Sequence, residues 1–274
     1  MTTINRSTSI TSPMSNMNWK AYRDQVDLNL SRSIQQHTTQ STLQDAIRYS
    51  SLNGGKRIRP LLCYAAANDF DLNSTSIDTI AVAVECIHAF SLIHDDLPAM
   101  DNDDWRRNQP SCHKQFPEYT AILAGNALQS IAFSSIAQCP VTPLDVQMQC
   151  IRILSYCTGA QGLLLGQNYD LSPPNTCDQQ TIDRLKTAKL FEACLTMSYT
   201  CHTNPCPTVQ QGLSRFAESF GLAFQRQDDA MDQEDNLTAT QAFSDAYHYL
   251  DDLGLNPNNS QLYQLTQYTQ ARQS

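Results

Sequence analysis

Five carboxylates, Asp95, Asp96, Asp101, Asp103 and Asp104, fall within ten residues of the run His94-Asp95-Asp96-Leu97-Pro98-Ala99-Met100-Asp101-Asn102-Asp103-Asp104-Trp105-Arg106-Arg107. Negative charges at this density repel one another strongly once partly withdrawn from water, and a cation between them relieves the repulsion. Magnesium takes oxygen ligands only, one or two carboxylates together with waters and phosphate oxygens. The run therefore points to a metal–diphosphate site.

A second acidic cluster closes the stretch Gln225-Arg226-Gln227-Asp228-Asp229-Ala230-Met231-Asp232. On a helix, Asp228 and Asp232 stand about 40° apart on one face, so both can reach one ion. Asp95 and Asp101 are six residues apart and converge only where Pro98 ends or distorts the helix. Either cluster alone reads as a solvated helix end. Two clusters, each abutting an apolar helix, are harder to dismiss.

A basic group complements them. Gly54-Gly55-Lys56-Arg57-Ile58-Arg59-Pro60 sets three cations at a helix start behind a glycine turn, where backbone amides also favour an anion. A diphosphate is the natural partner, with arginine forking onto its oxygens and lysine acting as a point charge.

The elements that position these residues read as helices. Glycine is scarce, at nine, and apolar residues recur at three- and four-residue spacing. Helices are predicted over 19–36, 40–52, 58–69, 75–100, 118–138, 142–166, 180–203, 208–232, 238–252 and 260–272, with no sheet. Ser41 with Gln44, and Thr75 with Asp78, have capping-box spacing, and Gly54 and Gly254 serve as stops. Pro173, Pro174 and Asn175 mark a surface turn. The fold class is all-α, a bundle of about ten helices around a central cavity.

At 274 residues the chain suits one domain over 19–274, preceded by a polar, disordered leader over 1–18. The net charge of −9 argues against a nucleic-acid partner, and no window approaches the roughly 18 consecutive apolar residues of a membrane span. Ten scattered cysteines read as free thiols of a reducing cytoplasm. Cys201, His202 and Cys206 cluster, but they lack the second ligand pair of a zinc site and read as structural.

Taken in order, Asn53 to Pro60, Asp95 to Arg107, Leu123-Ala124-Gly125-Asn126-Ala127-Leu128, Gly166-Gln167, Lys186-Thr187 and Gly221 to Asp229 resemble the short-chain trans-prenyl diphosphate synthases, most of all the bacterial farnesyl diphosphate synthases. The resemblance spans about 45 to 235. It implies an enzyme that joins isopentenyl diphosphate to an allylic diphosphate, dimethylallyl or geranyl, and that works as a homodimer. It implies three magnesium ions, with manganese as a substitute, held by Asp95, Asp101 and Asp228 with support from Asp96, Asp229 and Asp232. It also places Arg106, Lys186 and Gln225 on the allylic partner, and Lys56, Arg59, His88 and Arg107 on isopentenyl diphosphate. Thr187 and Gln225 fall along the path of the reacting carbocation. His88 alone reads as a core histidine. Phe90, five residues before Asp95, takes the place of an aromatic floor that limits the product to fifteen carbons, with C10 and C20 as alternatives.

After Asp232 the chain departs from the family pattern. Gln233-Glu234-Asp235-Asn236-Leu237 leads almost directly to the terminal helices, where the family carries a lysine-containing loop, and no lysine follows Lys189. Asn126 stands where the family usually has aspartate. Loss of those lysines implies a weaker hold on the allylic diphosphate. Two other readings stay open: a homologue with weak or no turnover that binds prenyl diphosphates or serves as a regulatory subunit, and a class I terpene cyclase. The Asp228-Asp229 pair argues against the cyclase.

Overall fold

The computed structural model describes residues 18–233 and 237–271, with the backbone alone for 228–233 and 237–238. The leader expected over 1–18 therefore lies outside the described residues except for Asn18. Asn18 caps α1 (Trp19–His37), its side chain accepting from the Ala21 N–H.

Next come α2 (Thr42–Ser51), α3 (Ile58–Asp69) and α4 (Ser74–Asp95). Ser41 caps α2 by accepting from Gln44 N–H at 3.3 Å, while the Gln44 side chain turns to Thr38, so only half of the expected box forms. The cap of α4 is Asn73, whose side chain accepts from the Thr75 and Ser76 N–H groups. Thr75 is thus already inside the helix, and Asp78 accepts from the Tyr64 hydroxyl instead. α4 stops at Asp95, earlier than expected, because Pro98 cannot continue it.

A two-stranded hairpin follows, absent from the sequence reading: β1 (Trp105–Arg106) against β2 (Gln109–Pro110). Arg107 and Asn108 both have positive φ, 54° and 60°, the geometry of a two-residue turn whose twist matches the strands. Then come α5 (Cys112–Gln115) and α6 (Glu118–Ala137). The helix expected over 142–166 is two, α7 (Leu144–Thr158) and α8 (Leu163–Asp170). Gly162 divides them; a side chain there would put its first carbon 2.8 Å from the Tyr156 carbonyl oxygen.

The helix expected over 180–203 is also interrupted. It runs as α9 (Gln179–Asp183), one π turn over Arg184–Ala188, and α10 (Lys189–Thr200). The chain ends with α11 (Pro207–Gln233), α12 (Leu237–Asp252) and α13 (Gln261–Gln270).

α4 is the axis of this all-α bundle. It packs against α1, α3, α6 and α10, and apolar residues such as Ile77, Val84 and Ile87 are fully buried along it. By length and composition α4 and α6 are each apolar enough to cross a membrane, yet α4 runs through the protein's own core. The ten cysteines are free thiols, most of them buried.

Asp69, the last residue of α3, fastens α13. Its carboxylate accepts from Ser260 Oγ at 2.7 Å and from the Gln261 and Leu262 N–H groups at 2.7 and 3.0 Å. Asp69→Ala strands three donors at a helix start and is expected to lower unfolding stability by about 2 kcal/mol. A urea midpoint unchanged from the parent protein would count against this role.

Candidate active site

The basic turn shows how the glycines serve it. Gly54 and Gly55 have φ of +83° and +119°, and Arg57 is itself left-handed at φ 52°. A side chain at Gly55 would meet the Arg107 guanidinium at 2.7 Å. Arg57 turns inward, buried, and donates to Asp27 at 2.9 Å, to the Ser51 carbonyl at 2.8 Å and to Glu85. Burial works against its charge, and Glu85 with Asp27 more than offset that. All three cations line the cavity, Arg57 through its buried contacts with Glu85 and Asp27, and the Arg59 guanidinium lies 4.5 Å over the Phe191 ring.

Lys56, Arg59, His88, Asp95, Arg106, Arg107, Lys186, Thr187 and Gln225 line one cavity of about 730 Å³. The His88 imidazole is held well below its usual range, first by burial and then by Arg59, Arg107 and the neighbouring arginines. It is therefore neutral at pH 7. Arg107 donates to Asn53 Oδ1 at 2.8 Å and to the Gly54 carbonyl, which ties the hairpin to the basic turn. Arg106 donates through Nε to Asp96 at 3.0 Å and through Nη2 to Asp103 at 3.1 Å.

Asp95 ends α4 at the cavity wall. Burial raises its carboxyl to about 6; Lys186 and Arg106 pull it down, and Asp101 and Asp96 push it further up. The bend after Asp95 is closed by Asp101 N–H to the Asp95 carbonyl at 2.9 Å and Asn102 N–H to the Leu97 carbonyl at 3.1 Å. That brings Asp101, exposed, back beside Asp95. Asp96 is 2% exposed and faces Arg106 and not the cavity. Phe90 is buried outside the cavity lining, its ring edge-on to His94.

The far wall comes from the π turn. Its extra residue shifts the helical register so that Lys186 and Thr187, consecutive in sequence, both reach the cavity. Two glycines permit the close approach: a side chain at Gly166 would lie 2.8 Å from Lys186 Cα, and one at Gly221 2.7 Å from Ala188 Cα. Thr187 Oγ1 donates to Gln225 Oε1 at 3.1 Å, and Lys186 Nζ lies 2.6 Å from Asp170 Oδ2. Asn53, Glu85, Asp170 and Gln167 are site residues to which the sequence reading gave no role. Only Asn53 and Gln167 stood inside the motifs singled out there.

Asp228, Asp229 and Asp232 sit on α11, but their side chains lie outside the described residues, as does the segment 234–236. Among the described residues no three carboxylate, imidazole or thiol groups gather closely enough to hold an ion by themselves. The donor set still suits magnesium, since Asp95 and Asp101 offer hard oxygen ligands close to one another. Such an ion would take its remaining oxygens from water and phosphate.

A helical bundle with arginines and lysines sharing a cavity with an aspartate at a helix end defines the class as an isoprenoid synthase-type enzyme. The chain belongs to the polyprenyl synthetase family, whose pattern matches residues 40–246. It is 44% identical over 197 residues to a farnesyl diphosphate synthase of Haemophilus influenzae, covering 70% of this chain and 67% of that one. The farnesyl diphosphate synthase of Escherichia coli is 42% identical over 217 residues, covering 76% and 72%. A crystal structure of a geranyltransferase from Legionella pneumophila superposes with a TM-score of 0.84 at 32% identity, covering 92% of this chain and 95% of that one.

Proposed function

We propose that this protein condenses isopentenyl diphosphate with dimethylallyl or geranyl diphosphate to give farnesyl diphosphate. The observation that carries the reading is the single cavity shared by Lys56, Arg59, Asp95, Arg106, Arg107, Lys186, Thr187 and Gln225. Two diphosphates need two sets of cations, and Lys56, Arg59 and Arg107 with Arg106 and Lys186 are enough to supply them.

Lys56, Arg59 and Arg107 hold the isopentenyl diphosphate, while Arg106 and Lys186 hold the allylic one. Bound magnesium would neutralise charge developing on the leaving diphosphate. Lys186 exchanges Asp170 for that diphosphate as it leaves. The allylic C1–O bond breaks with both electrons going to oxygen, and the double bond of isopentenyl diphosphate supplies the pair for the new C–C bond. The departing diphosphate takes the proton that restores a double bond. Hydroxyl and amide oxygens of Thr187 and Gln225 face the cation, and Leu92, Leu163 and Phe224 in the wall keep water from it.

A homodimer suits the exposed apolar side chains Tyr119, Ile122 and Leu123 on α6 and Leu144 and Met148 on α7. Ten free thiols suit a cytoplasmic location.

The test is to incubate the protein with magnesium, isopentenyl diphosphate and geranyl diphosphate and to identify products by mass. Farnesyl diphosphate supports the reading. Binding without turnover would overturn it in favour of a binding or regulatory homologue, the outcome expected if the short segment after Asp232 cannot replace the family's lysine loop. Terpene hydrocarbons or alcohols would point to a cyclase. Phe90→Ala is expected to move product toward C20 if Phe90 acts as a floor, and an unchanged product distribution would remove that role.

A further inference from the structure

We propose that Gln167 is a further catalytic residue, its side-chain amide touching the allylic group as the C1–O bond breaks; this rests on the prenyl-transfer reading above. Gln167 is 4% exposed and lines the cavity beside Lys186, Thr187 and Gln225. Neither its Oε1 nor its Nε2 has a hydrogen-bond partner among the described residues. Leaving a buried amide unpaired costs about 1–3 kcal/mol, and folded proteins pair such groups almost everywhere. An amide orphaned on a cavity wall is explained by a partner that arrives with the substrate.

The backbone keeps it there. Leu163 and Gln167 are one helical turn apart on α8, and both line the cavity. Gly166, between them in sequence, lets α8 lie directly on the Leu185–Lys186 backbone, so the helix cannot turn the amide away without leaving that contact. Thr187 and Gln225 already satisfy one another, and Lys186 is engaged by Asp170. Among the described residues lining the cavity, Gln167 has both ends of its amide unpartnered.

An amide dipole suits a C–O bond that is separating charge. Its carbonyl oxygen is placed toward the allylic carbon as that carbon becomes positive, and its N–H groups toward the diphosphate oxygen receiving the electron pair. No bond forms to Gln167, and it neither gains nor loses a proton.

The experiment uses Gln167→Met, which keeps the side-chain shape and removes the amide. An orphaned structural amide and a catalytic one separate cleanly here, because replacing an unpaired buried amide by an apolar group leaves stability unchanged or raises it. The expected result is a Tm at or above that of the parent protein, KM for isopentenyl diphosphate within about twofold, and kcat lower by about 10- to 100-fold. A folded Gln167→Met protein with kcat within about twofold of the parent would overturn the proposal. So would a drop in kcat that matches the loss of folded protein. If the parent protein itself shows no turnover, the prenyl-transfer reading is what fails. Gln167 is then judged by calorimetry with the unreactive thiolo analogue of geranyl diphosphate, bound about tenfold more weakly by Gln167→Met if the contact is made and equally if it is not.

Discussion

Asp95→Ala is expected to lower kcat/KM for prenyl transfer by about a thousandfold, with the bundle intact. Asp95 is the carboxylate that α4 delivers to the cavity wall. On the proposed reading its removal takes away a ligand for the cation that would offset charge on the leaving diphosphate, and it also relieves repulsion with Asp96 and Asp101. Stability should therefore hold or rise while turnover collapses. The pH dependence follows from the same carboxyl. Its value in the folded protein, about 6, lies above its ordinary 3.8, so it contributes stability below about pH 4 and loses that contribution as the pH rises through 6. Magnesium bound to the ionised form opposes the loss. The rise in Tm produced by magnesium is thus expected to grow between pH 5 and pH 7, and to be much reduced in Asp95→Ala. Equal magnesium shifts at both pH values, or near-normal turnover by Asp95→Ala, would refute this assignment.

Arg57→Met is expected to be the most damaging single change to stability among those considered, at about 3–5 kcal/mol. The Arg57 and Glu85 side chains are 1% and 2% exposed, and the substitution leaves the Glu85 carboxylate in the interior without its partner. A second change, Glu85→Leu, removes the stranded charge and should recover a large part of the loss, since paired burial is replaced by apolar packing. Arg57 is also the left-handed residue that follows Lys56 and precedes the Ile58–Arg59 helix start. The double variant should therefore fold yet bind inorganic diphosphate more weakly. Urea unfolding of the three variants forms a double-mutant cycle; strict additivity would show that the two side chains act independently.

Much of the bundle was legible because its signals are local. Scarce glycine and three- and four-residue spacing gave the helices, and the limits of α3 follow from Gly55 before it and the turn at Asp71 after it, φ 53°. The interruptions were not legible. A π turn at Arg184–Ala188 leaves apolar spacing almost unchanged, because one extra residue shifts the phase without altering composition. The hairpin at Arg106–Gln109 carries Arg-Asn in its turn where Asn-Gly would have announced it.

For the site, the acidic and basic motifs named just under half of the cavity lining, since each cluster lies contiguous in sequence. What the motifs could not show was direction. Arg57 shares its motif with Lys56 and Arg59 and looks equivalent to them, yet the left-handed backbone turns it toward Glu85 on α4. Asp96 adjoins Asp95 and looks equivalent to it, yet one step around the helix it meets Arg106. Partnerships between distant elements, such as Lys186 with Asp170, leave no mark in a linear pattern.

The hairpin joins two anchorages that are otherwise far apart in the chain. Arg106 is moored to the end of α4 through Asp96, and Arg107, its immediate neighbour, to the turn before α3 through Asn53 and Gly54. A trans peptide spans only about 3.8 Å between the two residues. Any tilt of this small ribbon is consequently felt both at the end of α4 and at the turn before α3, so on the proposed reading the two diphosphate sites are coupled through one peptide unit.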